Sequence, residues 1–254
     1  MTFQRKFAYS SVAAPLIGGS YCLFQSAPLP SAVARIARVV IPGYPHHVTQ
    51  RGNRRQTTYF GSEDYEAYVD LVAAAKERAG ADIWAYCVMP NHVHFVVVPA
   101  EKDSLAALFS DAHRKYTRKI NFREGWRGHL WQERFHSFVM DEHHLLAAVR
   151  YIELNPVHAN LCTQAALWPW SSARAHLSAI DDALVNVGPM LSRINDWQAY
   201  LDSIVPQETI EKLRQHSRTG RPVGDPDFVR HLELLAGRSL APKKRGRKSL
   251  PVKK

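Results

Sequence analysis

Two periods of apolar residues run along this chain. Near the N-terminal third, Arg38-Val-Val-Ile41 is apolar and leads into Pro42-Gly-Tyr-Pro45, a turn. His46 to Gln50 alternates as a strand does and stops at Arg51-Gly-Asn53. Glu63 to Ala79 then follows the helical period, with Tyr65, Tyr68, Leu71 and Val72 on one side, Ser62 ahead as N-cap and Gly80 closing it. Ile83 to Met89 and His92 to Val98 are rich in β-formers and flank Pro90-Asn91, which predicts a hairpin.

Ser104 stands ahead of a second helical stretch that runs to Asn121. Its apolar face carries Leu105, Leu108, Ala112, Tyr116 and Ile120. Phe135 to Met140 predicts a strand, and Glu142 to Leu154 a helix stopped by Asn155-Pro156. The order strand, helix, strand, strand, helix, strand, helix predicts an α+β fold. Its core is a ferredoxin-like βαββαβ unit with an antiparallel sheet, extended by helical C-terminal additions. Asp227 to Ala236 predicts one of those helices, and Gly220 to Gly224 a Gly/Pro linker.

The organisation that follows is an N-terminal extension over 1–36, an α+β domain over 37–175, a helical region over 176–241 and a basic tail over 242–254. Charge sharpens this division. The chain has 254 residues and a net charge of +10. Residues 1–62 hold seven Lys/Arg and no acid, and residues 238–254 hold eight and no acid. Of the 33 bases, 18 remain between these ends, against all 23 acids. A mildly acidic body with basic arms suits an enzyme that acts on a polyanion. The cysteines Cys22, Cys87 and Cys162 form no CxxC pair, which removes a structural zinc site and fits a reducing cytoplasm. The stretch from Phe7 to Phe24 imitates a secretory signal, but Pro15, Gly18 and Gly19 dilute it, and it falls short of the run of about 18 apolar residues that a membrane span needs.

The most informative segment is Pro90-Asn-His-Val-His-Phe-Val-Val-Val98. On a strand, residues two apart share a face about 6.6 Å apart, so His92 and His94 converge while Val93 points away. The pair lacks the further ligands of a closed zinc site, and no HExxH occurs. An open site with few protein ligands suits Mg²⁺ or Mn²⁺ completed by water and phosphate oxygens. Tyr116 is the candidate nucleophile, on a helix face expected to meet the sheet; Arg114 and Lys115 beside it are candidate phosphate contacts. An ordinary core tyrosine is the competing reading. Arg51, Arg54 and Arg55 follow the first strand and are further candidate phosphate contacts. Trp126, Trp131 and Phe135 are aromatics for stacking on bases or for the core.

These residues resemble a known family. His47-Val-Thr-Gln-Arg-Gly-Asn53, Met89-Pro-Asn-His-Val-His94, His113-Arg-Lys-Tyr-Thr-Arg-Lys-Ile-Asn121, Leu130-Trp-Gln-Glu-Arg-Phe135, Tyr151-Ile-Glu-Leu-Asn-Pro156 and Trp170-Ser-Ser172 occur in order. Together they are similar to REP-associated tyrosine transposases, single-tyrosine members of the HUH (histidine, hydrophobic, histidine) endonuclease group. Gly220-Arg-Pro-Val-Gly224 and Lys244-Arg-Gly-Arg247 resemble the tail of that branch, with Lys244, Arg245 and Arg247 as DNA contacts.

The resemblance implies metal binding by His92 and His94 and attack by Tyr116 on single-stranded DNA near a hairpin, leaving a 5′-phosphotyrosine. It implies no small-molecule cofactor and no membrane partner, and leaves monomer or homodimer open. Relatives carry a polar residue one turn after the tyrosine. Here that place is Ile120, so Asn121 is the nearest substitute for a third ligand. Two rivals remain: a metallohydrolase that activates water, and a DNA-binding protein that uses the same fold without catalysis.

Overall fold

The computed structural model of the chain describes residues 37–241. The expected N-terminal extension over 1–36 and the basic tail, with Lys244, Arg245 and Arg247, lie outside the described residues.

Four strands build one sheet: β1 (His46–Arg51), β2 (Ala81–Met89), β3 (His92–Pro99) and β4 (His136–Val139). Helix α1 (Ser62–Ala79) joins β1 to β2, α2 (Ser104–Glu124) joins β3 to β4, and α3 (Glu142–Glu153) follows β4. The strand order is β2-β3-β1-β4, and every neighbouring pair is antiparallel. This is the expected ferredoxin-like core.

Helical additions complete the fold. They are α4 (Asn155–His158), α5 (Ala173–Ser178), α6 (Gly188–Leu191), α7 (Trp197–Asp202), α8 (Gln207–Thr219) and α9 (Pro226–Ala236). Among the described residues, no helix is long and apolar enough to cross a membrane.

The alternation in β3 sorts the side chains onto two faces. Val93, Phe95 and Val97 join Val48 of β1 and the inward residues of α1 and α2 in one core. Val96 joins Phe138, the inward residues of α3, Leu213 of α8 and Val223 in a second core on the other face. Each β-α-β crossover in such a sheet is right-handed, which puts α1 and α2 on the same side. The C-terminal helices therefore share a core with the sheet.

Local details refine the expectations. Ser62 is the first residue of α1, and Gly61 is its N-cap. Gly80 closes that helix at φ 56°, a left-handed conformation in which a side chain is unfavourable. Ser104 begins α2, and its hydroxyl accepts from Glu101 N instead of capping a helical N–H. Gly220 to Gly224 is not a free linker. Val223 is buried and donates its N–H to Val139 O, while Val223 O accepts from Asp141 N.

Candidate active site

A cleft of about 650 Å³ opens on the second face of the sheet. Its floor comes from β1 and β3, which point His47, Thr49 and Arg51, and His92 and His94, to that face. Strand pairing fixes this: His47 lies opposite Val96, Thr49 opposite His94 and Arg51 opposite His92. One wall is Tyr151 of α3, and another is Arg214, Ser217 and Arg218 of α8.

The two strand histidines are held by fixed neighbours. Asn91 Nδ2 donates to Arg55 O at 3.0 Å, which orients the amide. Its Oδ1 then lies 2.6 Å from His92 Nδ1, so that nitrogen carries the proton and leaves Nε2 with a free lone pair. His94 Nδ1 lies 3.0 Å from His47 Nε2, and the two rings stack with centroids 5.3 Å apart. His94 Nε2 is buried with no hydrogen-bond partner among the described residues.

Burial, then Arg51, pull His92 down to about 3. Burial also holds His94 well below the ordinary histidine range. Both rings are thus neutral donors at physiological pH, the state in which imidazole ligates a cation. A hydrogen bond that fixes the other ring nitrogen is the usual support of a ligating histidine. The residues fit a divalent ion with open positions. No group of three or more His, Cys, Asp or Glu among the described residues is arranged to hold one.

The arginine loop after β1 is built under constraint. A Cβ at Gly52 would meet Gln56 O at 2.5 Å and Thr58 Cγ2 at 2.6 Å, so only glycine fits. Arg54 and Arg55 both have positive φ, 54° and 61°, which is strained for residues with side chains. Arg51 and Arg55 reach the cleft; Arg54 is exposed beside it and does not line it. Burial and then Arg55 lower the Arg51 guanidinium, the signature of a cation crowded by a second cation.

The structure does not bring Tyr116 to the histidines, and this expectation is corrected. Tyr116 is fully buried on the first face, against Tyr59, Tyr68 and Trp131. Its hydroxyl donates to Thr58 O at 2.7 Å. Burial raises its phenol far above the ordinary value. The sheet separates it from His94, because Phe95 and Val93 point toward α2 where the histidines point away.

Other α2 expectations fail for the same reason. Asn121 Nδ2 donates to Gly128 O at 2.9 Å and lies on the helix that covers the first face. Arg114 and Lys115 are exposed there and pair with Asp111 at 3.0 and 2.8 Å. Trp131 and Phe135 are core residues, and Trp126 is partly exposed against Phe60.

The tyrosine that does reach the site is Tyr151. Its ring meets that of His94 edge-on, with centroids 5.7 Å apart. Two signals in the sequence point to it. The odd positions of β3 are wholly apolar, so they must face the amphipathic helices and turn the histidines away from α2. Asn155 also stands one turn beyond Tyr151, where Tyr116 has Ile120.

The fold and cleft define a class: a ferredoxin-like domain whose open face combines neutral imidazoles, arginines and a phenol. Residues 41–155 match the family model described as "Transposase IS200 like". The structure of a REP-associated tyrosine transposase bound to a REP hairpin is similar at 21% identity. That match covers 61% of this chain and 93% of that one, with a TM-score of 0.48. A putative transposase from Deinococcus radiodurans R1 is similar at 21% identity, over 47% of this chain and 96% of that one, with a TM-score of 0.34. No curated protein matches the chain.

Proposed function

We propose that this chain is a transposase that cuts and rejoins single-stranded DNA at hairpin elements of the REP type, with Tyr151 as nucleophile and a 5′-phosphotyrosine as intermediate. The observation that carries this reading is the meeting of Tyr151 with His94, and of both with His92 and Arg51, in one open cleft. The phenolic oxygen attacks the phosphorus, and the bond to the 3′-oxygen breaks. The proton lost by the phenol is taken up, through water, by the leaving 3′-oxygen. Attack by another 3′-hydroxyl reverses these steps and joins a new end, because the phosphotyrosine keeps the energy of the broken diester.

His92 and His94 would hold a divalent ion, Mg²⁺ or Mn²⁺, and the ion would supply Lewis-acid polarisation of the scissile phosphate. Asn155 is the proposed further ligand. It lies four residues beyond Tyr151, about 40° around a helix, and Leu154 keeps the helical path between α3 and α4. Arg51 and Arg55 neutralise phosphate oxygens at the floor. The hairpin substrate follows from the sequence resemblance, and the free cysteines fit a reducing, cytoplasmic location.

The test uses a labelled hairpin oligonucleotide with single-stranded flanks and the full chain, with Mn²⁺ or Mg²⁺. A covalent adduct on a denaturing gel is expected for the wild type and for Tyr116→Phe, and none for Tyr151→Phe. An adduct that survives Tyr151→Phe overturns the assignment of the nucleophile. Binding of DNA with no adduct in any variant overturns catalysis and leaves a DNA-binding protein.

A further inference from the structure

Helix α8 lies outside the family-matched segment, yet it walls the cleft. It is fixed there by its inner side. Leu213 is buried in the second core, and Ser217 Oγ lies 3.2 Å from Thr49 Oγ1 on β1. His216 Nδ1 donates to Arg221 O at 2.9 Å, closing the helix against the Gly220–Gly224 segment that pairs with β4.

Two arginines one turn apart, Arg214 and Arg218, project from this helix into the same opening. The Arg214 guanidinium sits 5.9 Å from the centre of the Tyr151 ring. It also pairs with Glu211 at 2.9 Å, a partly exposed contact that a phosphate can replace at little cost. Arg218 has no acidic partner among the described residues. Arg51 and Arg55 stand on the floor, and Glu133 is the one acid among the residues lining the cleft. Four guanidinium groups around a single carboxylate form an anion site that extends beyond the histidine pair.

We propose that α8 is the second wall of a phosphate channel, in which Arg214 and Arg218 grip the sugar–phosphate backbone of the single strand flanking the cut, facing Arg51 and Arg55. This rests on the reading of the cleft as a single-strand DNA site. The guanidinium groups are suited to phosphate, since each offers a fork of donors that a lysine lacks. Contacts of this kind position a strand without reading its sequence. Tyr151 would then lie between the two arginine pairs, with the scissile phosphate held from both sides.

The experiment measures binding of the hairpin oligonucleotide by fluorescence anisotropy against NaCl concentration, using the full chain. Arg214→Gln/Arg218→Gln is expected to reduce the slope of log K against log[NaCl] by about 1.4, from about 0.7 per single-strand phosphate, and to weaken binding about tenfold near 0.15 M. Arg218→Gln alone, which removes an exposed side chain and cannot compromise folding, is expected to account for about half of that slope. Lys212→Gln on the same helix, which removes an equal charge outside the cleft lining, is expected to change the slope far less.

An unchanged slope in the double variant, with wild-type binding intact, overturns the channel alone. An equal loss from Lys212→Gln also overturns it, because general charge would then explain the effect. Absence of both binding and adduct in the wild type overturns the underlying reading, and the channel with it.

Discussion

The two faces of this sheet carry the same kinds of residue and put them to opposite uses. On the first face, Tyr116 sits among Tyr59, Tyr68 and Trp131, and His113 bonds the Tyr68 hydroxyl at 2.9 Å. The Tyr116 and Tyr68 hydroxyls there are both spent on neighbours inside the core. On the second face, Tyr151, His92 and His94 border a cleft, His94 Nε2 has no partner among the described residues, and four arginines line the opening against one acid, Glu133. The lesson is that residue type and helical position do not separate a core tyrosine from one that borders the cleft. What separates them is whether the hydroxyl has been committed to a protein acceptor.

The largest effect should come from exchanging the roles of the two phenols. Tyr151→Phe is expected to lower adduct formation about a thousandfold or more while leaving the melting temperature nearly unchanged. Tyr116→Ala is expected to do the reverse. It opens a cavity in a fully buried aromatic cluster and should cost about 3–5 kcal/mol in denaturant unfolding, while the folded fraction still forms adduct. If Tyr116→Ala kept full stability, the dry face would not be the structural half of the molecule.

His47→Asn comes next. His47 supports His94 and is not proposed to touch DNA, so its loss should weaken the binding of Mn²⁺ about 10–100-fold, read by calorimetry without substrate. Unaltered metal affinity would remove His47 from the site.

The smallest effect is an acid one on the first face. Burial pulls His113 down to about 3 from an ordinary 6.5, so it is neutral in the fold and takes up a proton only on unfolding. The unfolded chain therefore binds more protons below pH 6.5. Stability is full above that pH and falls as pH drops toward 3, by about 1.4 kcal/mol per pH unit for this one group. Melts between pH 7 and 4.5 should show a gentler acid loss in His113→Asn than in the wild type. Equal slopes would mean that His113 protonates without leaving its place.

Much of this was legible in the chain. Hairpin and helix signals around Pro90-Asn91, Gly80 and Asn155-Pro156 led to the right element order, and the order led to the sheet. The His-x-His spacing led to the cleft through strand period alone. The β4 strand was read two residues too long because Phe135 and Met140 are apolar for other reasons: Phe135 packs in the first core and Met140 in the second. Gly220 to Gly224 looked like a linker because its composition is that of one. Its pairing with β4 comes from partners more than 80 residues away.

The sequence by itself determined the elements, their order and the pair of histidines on one side of a strand, since these depend on spacing between near neighbours. The tertiary structure alone decided which tyrosine meets the pair and that α8 closes the cleft. Both α2 and α3 offer an inward tyrosine, and the choice between them depends on which helix covers which face of the sheet. That is set by packing among distant segments: the apolar side of β3 draws α1 and α2 to it, and the histidine side is left for α3 and α8.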